Sequence, residues 1–261
     1  MSVNEKAVTM VIGLGEVGRP LFTILKKQSA GTLGIDLEPV EVSRPVGTMH
    51  ICFPYLNAVQ FQSAAVGYIR KYAPKVVVVQ STAIPGTTRA IETESGVPCV
   101  YSPVRGKHTK MVDELLNYVK FVAGTDAEAT HEVQEQFKAA GMKSETMSTP
   151  EALELAKLLE TTYFGMLIAW AQEMNRFAEV VNADYVEVGR FFKEIAYLPG
   201  VLFQPGYIGG HCVMPNIGLL QQRFESEFLE VIKKSNEARR VELAAQQQQS
   251  PKERLKPLVL A

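Results

Sequence analysis

The stretch Val8-Thr9-Met10-Val11-Ile12-Gly13-Leu14-Gly15-Glu16-Val17-Gly18 decides how the N-terminal half folds. A short apolar run enters three glycines spaced G-x-G-x-x-G, and a helical pattern follows to Gln28. In such a strand–turn–helix, Gly13 permits the tight turn, Gly15 lets a pyrophosphate approach the backbone, and Gly18 allows helix and strand to pack closely. The N–H groups at the helix start then point at the phosphates. Asp36 closes the next strand (Gly34-Ile35-Asp36). An acid there takes ribose hydroxyls and repels a 2′-phosphate, so the pattern predicts NAD rather than NADP.

Outward from this turn, Thr32–Ile35, Met49–Phe53, Val76–Gln80, Pro98–Tyr101 and Lys120–Ala123 read as further strands. Gly18–Gln28, Gln60–Tyr72, Thr87–Ser95 and Asp126–Ala140 read as the helices between them. Continuous apolar strands alternating with helices predict an α/β fold with a Rossmann-like, doubly wound parallel sheet over residues 1–147. Residues 37–48 are too few for a crossover helix plus a strand, and Pro39, Pro45 and Gly47 disfavour a helix there. At Ser148-Thr149-Pro150-Glu151 a hydroxyl cap, a proline and an acid start a long helix, which runs to about Val181. Its side chains Leu158, Leu159, Tyr163, Phe164, Met166, Leu167 and Trp170 leave little polar face. The expectation is an all-helical domain over 148–242 that pairs with a second copy through this helix. A second helix starts at Asp184, a Gly/Pro-rich loop spans 198–215, and a last helix is expected from about Ile217 to Arg240. Residues 243–261, with four successive glutamines, read as a flexible tail.

Composition bounds the function classes. Of 261 residues, 46% are hydrophobic and 21% charged, as in ordinary globular chains. Lys plus Arg number 27 against 28 acids, so no basic excess points to nucleic acid or anionic membrane. The N-terminus does not read as a signal peptide, and no stretch is apolar enough to span a bilayer. Cys52, Cys99 and Cys212 are widely spaced and show no disulfide pattern, which suits a reducing cytoplasm. A metal site is not expected, because His211 and Cys212 have no second ligand pair at metal spacing.

Two further segments carry chemistry. Ser81-Thr82-Ala83-Ile84-Pro85-Gly86-Thr87-Thr88 follows a strand end, where hydroxyls face the crevice of such a sheet; alternatively Thr87 or Thr88 caps the next helix. In Pro205-Gly206-Tyr207-Ile208-Gly209-Gly210-His211-Cys212, a thiol behind two glycines is reachable by a ligand. A following helix start would favour its thiolate, whereas Cys52 and Cys99 read as core residues.

The order Gly13–Gly18, Ser81–Gly86, Lys157 in a long helix, then Gly209-Gly210-His211-Cys212 resembles the UDP-glucose/GDP-mannose dehydrogenase family. The Gly-Gly-His-Cys form is most similar to its UDP-N-acetylhexosamine branch. Tyr101-Ser102-Pro103-Val104-Arg105 resembles the family's Ser-Pro-Glu-Arg segment, and Lys233–Arg239 resembles the end of its last central helix. The resemblance implies a homodimeric NAD-dependent oxidoreductase that takes a sugar alcohol to the acid. Cys212 would form a thiohemiacetal and then a thioester. Lys157 would stabilise the oxyanion, and Thr82 would lie near the nicotinamide. Glu16, Val17, Pro54 and Ser81 would join the glycines and Asp36 around the cofactor. Arg105, Thr161, Gly209, Gly210 and His211 would contact the substrate. The departures are Val104 for a glutamate, Thr161 for an asparagine, and Asn216 for an aspartate linked to water activation; an asparagine cannot act as a base there. The chain stops about where the family's C-terminal nucleotide-binding domain would begin. Two other readings stay open: a two-electron β-hydroxyacid type of dehydrogenase using Lys157, and a non-catalytic NAD-binding protein.

Overall fold

The computed structural model describes residues 7–248 except 37, 39, 107 and 194. The chain divides into two compact units, residues 1–157 and 158–261. In the first unit, β1 (Val8–Ile12), β2 (Thr32–Ile35), β3 (Val46–Ile51), β4 (Val76–Val79), β5 (Cys99–Tyr101), β6 (Lys120–Gly124) and β7 (Ser144–Thr146) form one sheet ordered β2-β1-β3-β4-β5-β6-β7. Neighbouring strands run parallel except β5 and β6. The helices α1 (Gly18–Gln28), α2 (Ala58–Tyr72), α3 (Thr87–Ser95), α4 (Met111–Asn117) and α5 (Ala127–Ala139) connect them. This is the expected α/β class. It adds α4, β7 and one reversed strand, all from segments too short or too polar to show a clear period.

Alternate strand residues divide between the two faces, as the pleat requires. Met10, Ile12, Met49, Ile51, Val77 and Val79 pack with Phe61, Ala65 and Ile69 of α2. Val11, Val78, Val100 and Val122 pack with Leu21 and Leu25 of α1 and with Val133 and Phe137 of α5. The chain leaves β1 toward β2 on one side, then crosses to β3 on the other within residues 36–45. No helix lies between β2 and β3 among the described residues. The order therefore reverses at β1, and the C-terminal ends of β1 and β3 flank the switch point at which open α/β sheets bind ligands.

A line of polar side chains crosses this core. Lys120 Nζ donates to Gln80 Oε1 at 2.6 Å, to Ser102 O at 2.6 Å and to Pro103 O at 3.0 Å. Gln80 Nε2 meets His50 Nδ1 at 3.1 Å, His50 Nε2 meets Gln136 Oε1 at 3.0 Å, and Gln136 Nε2 donates to Thr9 Oγ1 at 3.0 Å. Because Lys120 occupies the Gln80 oxygen, the Gln80 amide must donate to His50. That leaves the imidazole neutral, with its proton on Nε2. Burial pushes His50 down to about 3 and the Lys120 amine down to about 7.

The second unit holds the remainder of α6 (Pro150–Val180), then α7 (Tyr185–Lys193), α8 (Val213–Gln221) and α9 (Glu227–Gln248). Thr149 Oγ1 caps α6 by accepting from Ala152 N. Gly165 lets α6 and α8 pack closely, since a Cβ there would lie 2.5 Å from Val213 Cγ1. The helix expected over Ile217–Arg240 is instead two. Gln222, Arg223 and Phe224 turn their N–H groups back onto the carbonyls of Leu219 and Leu220, which closes α8. Acidic Glu227 and Glu230 then begin α9 at a favourable helix start. The start of α8 therefore moves to Val213, directly after Cys212. Helix α9 continues to Gln248, past the expected start of the tail, and residues 249–261 lie outside the described residues. No described helix is long and apolar enough to cross a membrane.

Candidate functional site

The glycine turn is built by the backbone. Gly13 N donates to Ile35 O at 2.7 Å, and its φ of +87° lies in the left-handed region that favours glycine. A Cβ on Gly13 would sit 2.9 Å from Phe53 N, and one on Gly18 would sit 1.8 Å from Gly13 O. A Cβ on Gly15 would meet nothing within 4 Å. The two outer glycines are thus required by the fold, and the middle one faces open space. Glu16 is exposed there, Val17 is half-buried ahead of α1, and Pro54 is exposed beyond the end of β3. Asp36 is exposed and accepts from Leu14 N through Oδ1 at 3.3 Å, which holds its carboxylate beside the turn. The donor set, an open glycine over a helix N-terminus with an acid alongside, fits a dinucleotide pyrophosphate and ribose.

The rim continues stepwise along the C-terminal edge of the sheet. Ser81 Oγ donates to Phe53 O at 2.6 Å, so its hydroxyl braces β4 against the end of β3. Thr82 is half-buried, with no hydrogen bond from its hydroxyl to any described residue. Thr87 Oγ1 donates to Ile84 O at 2.7 Å. The start of α3 is capped from far along the chain. Glu154, fully buried, accepts from Gly86 N at 2.6 Å, Thr88 N at 2.9 Å and Thr88 Oγ1 at 2.7 Å. Burial outweighs these three donors and pushes the Glu154 carboxyl up to about 6. Sequence reading missed this residue as a cap, because its partners lie more than sixty positions away. Lys157 follows one turn after Glu154 on α6 and is half-buried. Arg105 lies over the Tyr118 and Phe121 rings, 5.8 and 5.6 Å from their centroids.

In the second unit, Gly209, Gly210 and His211 are exposed, and Gly210 takes a φ of +76°. Cys212 is half-buried and stands at the N-cap position of α8. The other thiols are buried. Burial pushes Cys52 up to about 12, and Cys99 is also raised. Thr161 Oγ1 donates to Leu158 O at 3.0 Å and accepts from Asn216 Nδ2 at 2.9 Å.

Residues 151–240, a stretch carrying Lys157, Thr161, Cys212 and Asn216, match the model of the UDP-glucose/GDP-mannose dehydrogenase family, central domain. This stretch is similar to that family's central domain. The chain is 22% identical over 241 residues to the UDP-N-acetyl-D-mannosamine dehydrogenase of Methanocaldococcus jannaschii, covering 82% of this chain and 53% of that protein. It is 31% identical over 158 residues to the UDP-N-acetyl-D-glucosamine 6-dehydrogenase of Salmonella typhi, covering 53% of this chain and 35% of that one. It therefore spans about half, or less, of the length of these relatives. The fold is similar to that of the UDP-D-ManNAc dehydrogenase of Pyrococcus horikoshii, with a TM-score of 0.79 and 16% identity over 91% of this chain and 70% of that one.

Against the UDP-glucose/GDP-mannose dehydrogenase pattern, the departures have structural counterparts. Val104 is buried in the apolar core with Met111 and Leu115, where its side chain fits without a polar partner. The changes at 161 and 216 satisfy each other: the Asn216 amide supplies the donor that the Thr161 oxygen accepts. An aspartate at 216 would lack that donor.

Proposed function

We propose that this chain is an NAD-dependent dehydrogenase that oxidises the CH–OH group of a nucleotide sugar. The relatives named above act on UDP-N-acetyl-D-mannosamine and UDP-N-acetyl-D-glucosamine, and sugars of that class are the substrates proposed here. The observation that carries the reading is Gly15, open on its ligand side between two glycines that the fold requires. NAD, when bound, supplies the two-electron acceptor. The backbone from Gly13 through Glu16 and Val17 to Gly18 holds the pyrophosphate, Asp36 takes the ribose hydroxyls, and Pro54, Ser81 and Thr82 border the remainder. Lys157 stabilises the alkoxide formed at the sugar alcohol. Cys212 would add to the resulting aldehyde as a thiohemiacetal, a second NAD would supply the acceptor for the hydride lost as the thioester forms, and water would release the acid and free the thiol. Gly209, Gly210, His211, Arg105 and Thr161 contact the substrate. With Asn216 in place of a carboxylate, no base at that position activates the water, so hydrolysis is the slow step.

The experiment is a burst measurement with NAD and each of the two sugars. The expected trace is a fast phase of about two NADH per chain, then slow turnover. Asn216→Asp should speed the slow phase. No NADH from either sugar, with NAD bound, would reject the reading. The burial of Val104 and the Thr161–Asn216 pair favour a second reading, a non-catalytic NAD-binding protein, which that result would support.

The exposed aromatics Tyr163, Trp170 and Phe177 recur every seven residues on α6, with Trp170 and Phe177 edge to face. Their exposure supports a homodimer through this helix. Each such side chain covered contributes about 1.5–3 kcal/mol. Sedimentation at micromolar concentration should give a dimer, and a monomer would reject it. Buried, reduced Cys52 and Cys99 suit a cytoplasmic protein.

A further inference from the structure

The Cys212 loop has no regular structure between Leu198 and the start of α8, yet one of its residues is fixed from both sides. Ile208 is buried, and its N–H donates to Asn236 Oδ1 at 2.7 Å while its carbonyl accepts from Asn236 Nδ2 at 3.1 Å. The carboxamide of α9 thus pairs with a loop peptide as a neighbouring strand would. A second amide backs it. Gln172 of α6, fully buried, donates through Nε2 to Gly206 O at 2.7 Å and to Asn236 Oδ1 at 3.3 Å. Gln172 Oε1 in turn accepts from Ser235 Oγ at 2.9 Å, and Arg176 Nη1 donates to that hydroxyl at 3.2 Å. Every polar atom of the two amide heads that this line uses has a defined partner.

We infer that Asn236, backed by Gln172, is a positioning residue that sets the Cys212 thiol at the start of α8 and so sets its reactivity. The inference rests on the reading of Cys212 as the nucleophile. Only Gly209, Gly210 and His211 separate the clamped Ile208 from Cys212, and two of these are glycines with wide backbone freedom. The Asn236 pairing stops that freedom from reaching the thiol. A thiol at a helix N-terminus has its thiolate favoured by the N–H groups ahead of it, and this holds only while the loop delivers it there. The pair needs a carboxamide, with one donor and one acceptor on the same head. An aspartate accepts from Ile208 N but sets a carboxylate against the Ile208 carbonyl, and an aliphatic side chain leaves both backbone groups unsatisfied.

The test uses the full chain and iodoacetamide, with Cys212 followed by mass spectrometry between pH 5.5 and 9. In Asn236→Asp and Gln172→Ala the Cys212 alkylation rate at pH 7 should fall about tenfold, and its midpoint should move up toward an ordinary thiol near 8.5. Should either variant fail to fold, amide exchange of the unmodified protein decides the matter. Ile208 should exchange at least about tenfold slower than Gly210. Unchanged rate and midpoint in a folded variant, or Ile208 exchanging as fast as Gly210, overturns the inference. Cys212→Ser separates the two levels. Lost NADH production with unchanged alkylation in Asn236→Asp defeats the positioning role alone, whereas unchanged NADH production in Cys212→Ser defeats the reading of Cys212 as nucleophile.

Discussion

The glycine turn after β1 and the glycine loop before α8 are held in opposite ways. Around Gly13–Gly18 the backbone holds itself: Gly13 N bonds Ile35 O, Cys52 N bonds Ile12 O, and missing β-carbons let the segments touch. Around Gly209–Cys212 the glycines touch no packed backbone, and side chains from α6 and α9 do the holding. A backbone-held turn writes its requirement into adjacent residues. A loop held by side chains writes it into helices far along the chain.

The largest effect expected from this contrast is at Gly18. Gly18→Ala puts a Cβ against the Gly13 carbonyl and should cost about 3 kcal/mol or prevent folding. Gly15→Ala meets no atom, so urea unfolding should change by less than about 1 kcal/mol while NADH affinity falls. Equal instability in both variants would mean that packing does not distinguish Gly15 from Gly18.

Next is Lys120, whose removal tests whether side chains also organise the first unit. Lys120→Met strands the Gln80, Ser102 and Pro103 oxygens, at a cost of about 3 kcal/mol. The folded amine sits near 7 against 10.5 when unfolded, so its stabilisation is complete above 10.5 and lost as pH falls through 7. Stability should therefore rise from pH 7 to about 9, before the unfolded-state ionisation of the buried Cys52 and Cys99 thiols opposes it, by at most about 1.4 kcal/mol per pH unit from Lys120, and Lys120→Met should flatten that rise. An unchanged slope in the variant would show that Lys120 is not the titrating group.

A smaller effect separates Glu154 from His50. Glu154 is raised from 4.5 to about 6, so its contribution is full below 4.5 and lost as pH rises through 6. His50 is lowered from 6.5 to about 3, so its contribution is lost as pH falls below 6.5. The two slopes oppose each other between pH 4.5 and 6. Glu154→Gln removes the first, and urea midpoints should then fall more steeply with acid; a slope equal to that of the unmodified protein would contradict the assignment.

The smallest effect is in the second unit. Thr161→Val takes away the acceptor of Asn216 Nδ2 and should cost about 1 kcal/mol, measured by urea unfolding, without changing NADH affinity.

Legibility in the sequence followed the same division. The strand–glycine–helix register, the acid at Asp36, the missing crossover helix after β2 and the start of α6 all rest on neighbouring residues, and all were readable. Glu154 was invisible as a cap, because nothing near Gly86 or Thr88 announces a carboxylate more than sixty positions later. His50 and Lys120 each sit in an apolar strand run, and only the sheet order joins them. The break between α8 and α9 was hidden by apolar Leu219, Leu220 and Phe224, which keep the helical period through the turn. Asn236 lay within the Lys233–Arg239 segment that signalled the family, but its grip on Ile208 depends on how two helices bring their amides to one loop.

The covalent role of Cys212 is the step on which the proposed reaction depends. Stopped-flow absorbance at 340 nm, with NAD and the nucleotide sugars on the unmodified chain and on Cys212→Ser, tests it most directly. An NADH burst followed by slow turnover is expected, with the second NADH lost in Cys212→Ser because no thioester forms. Equal NADH yield from Cys212→Ser, or no NADH from a chain that binds NAD, would contradict it.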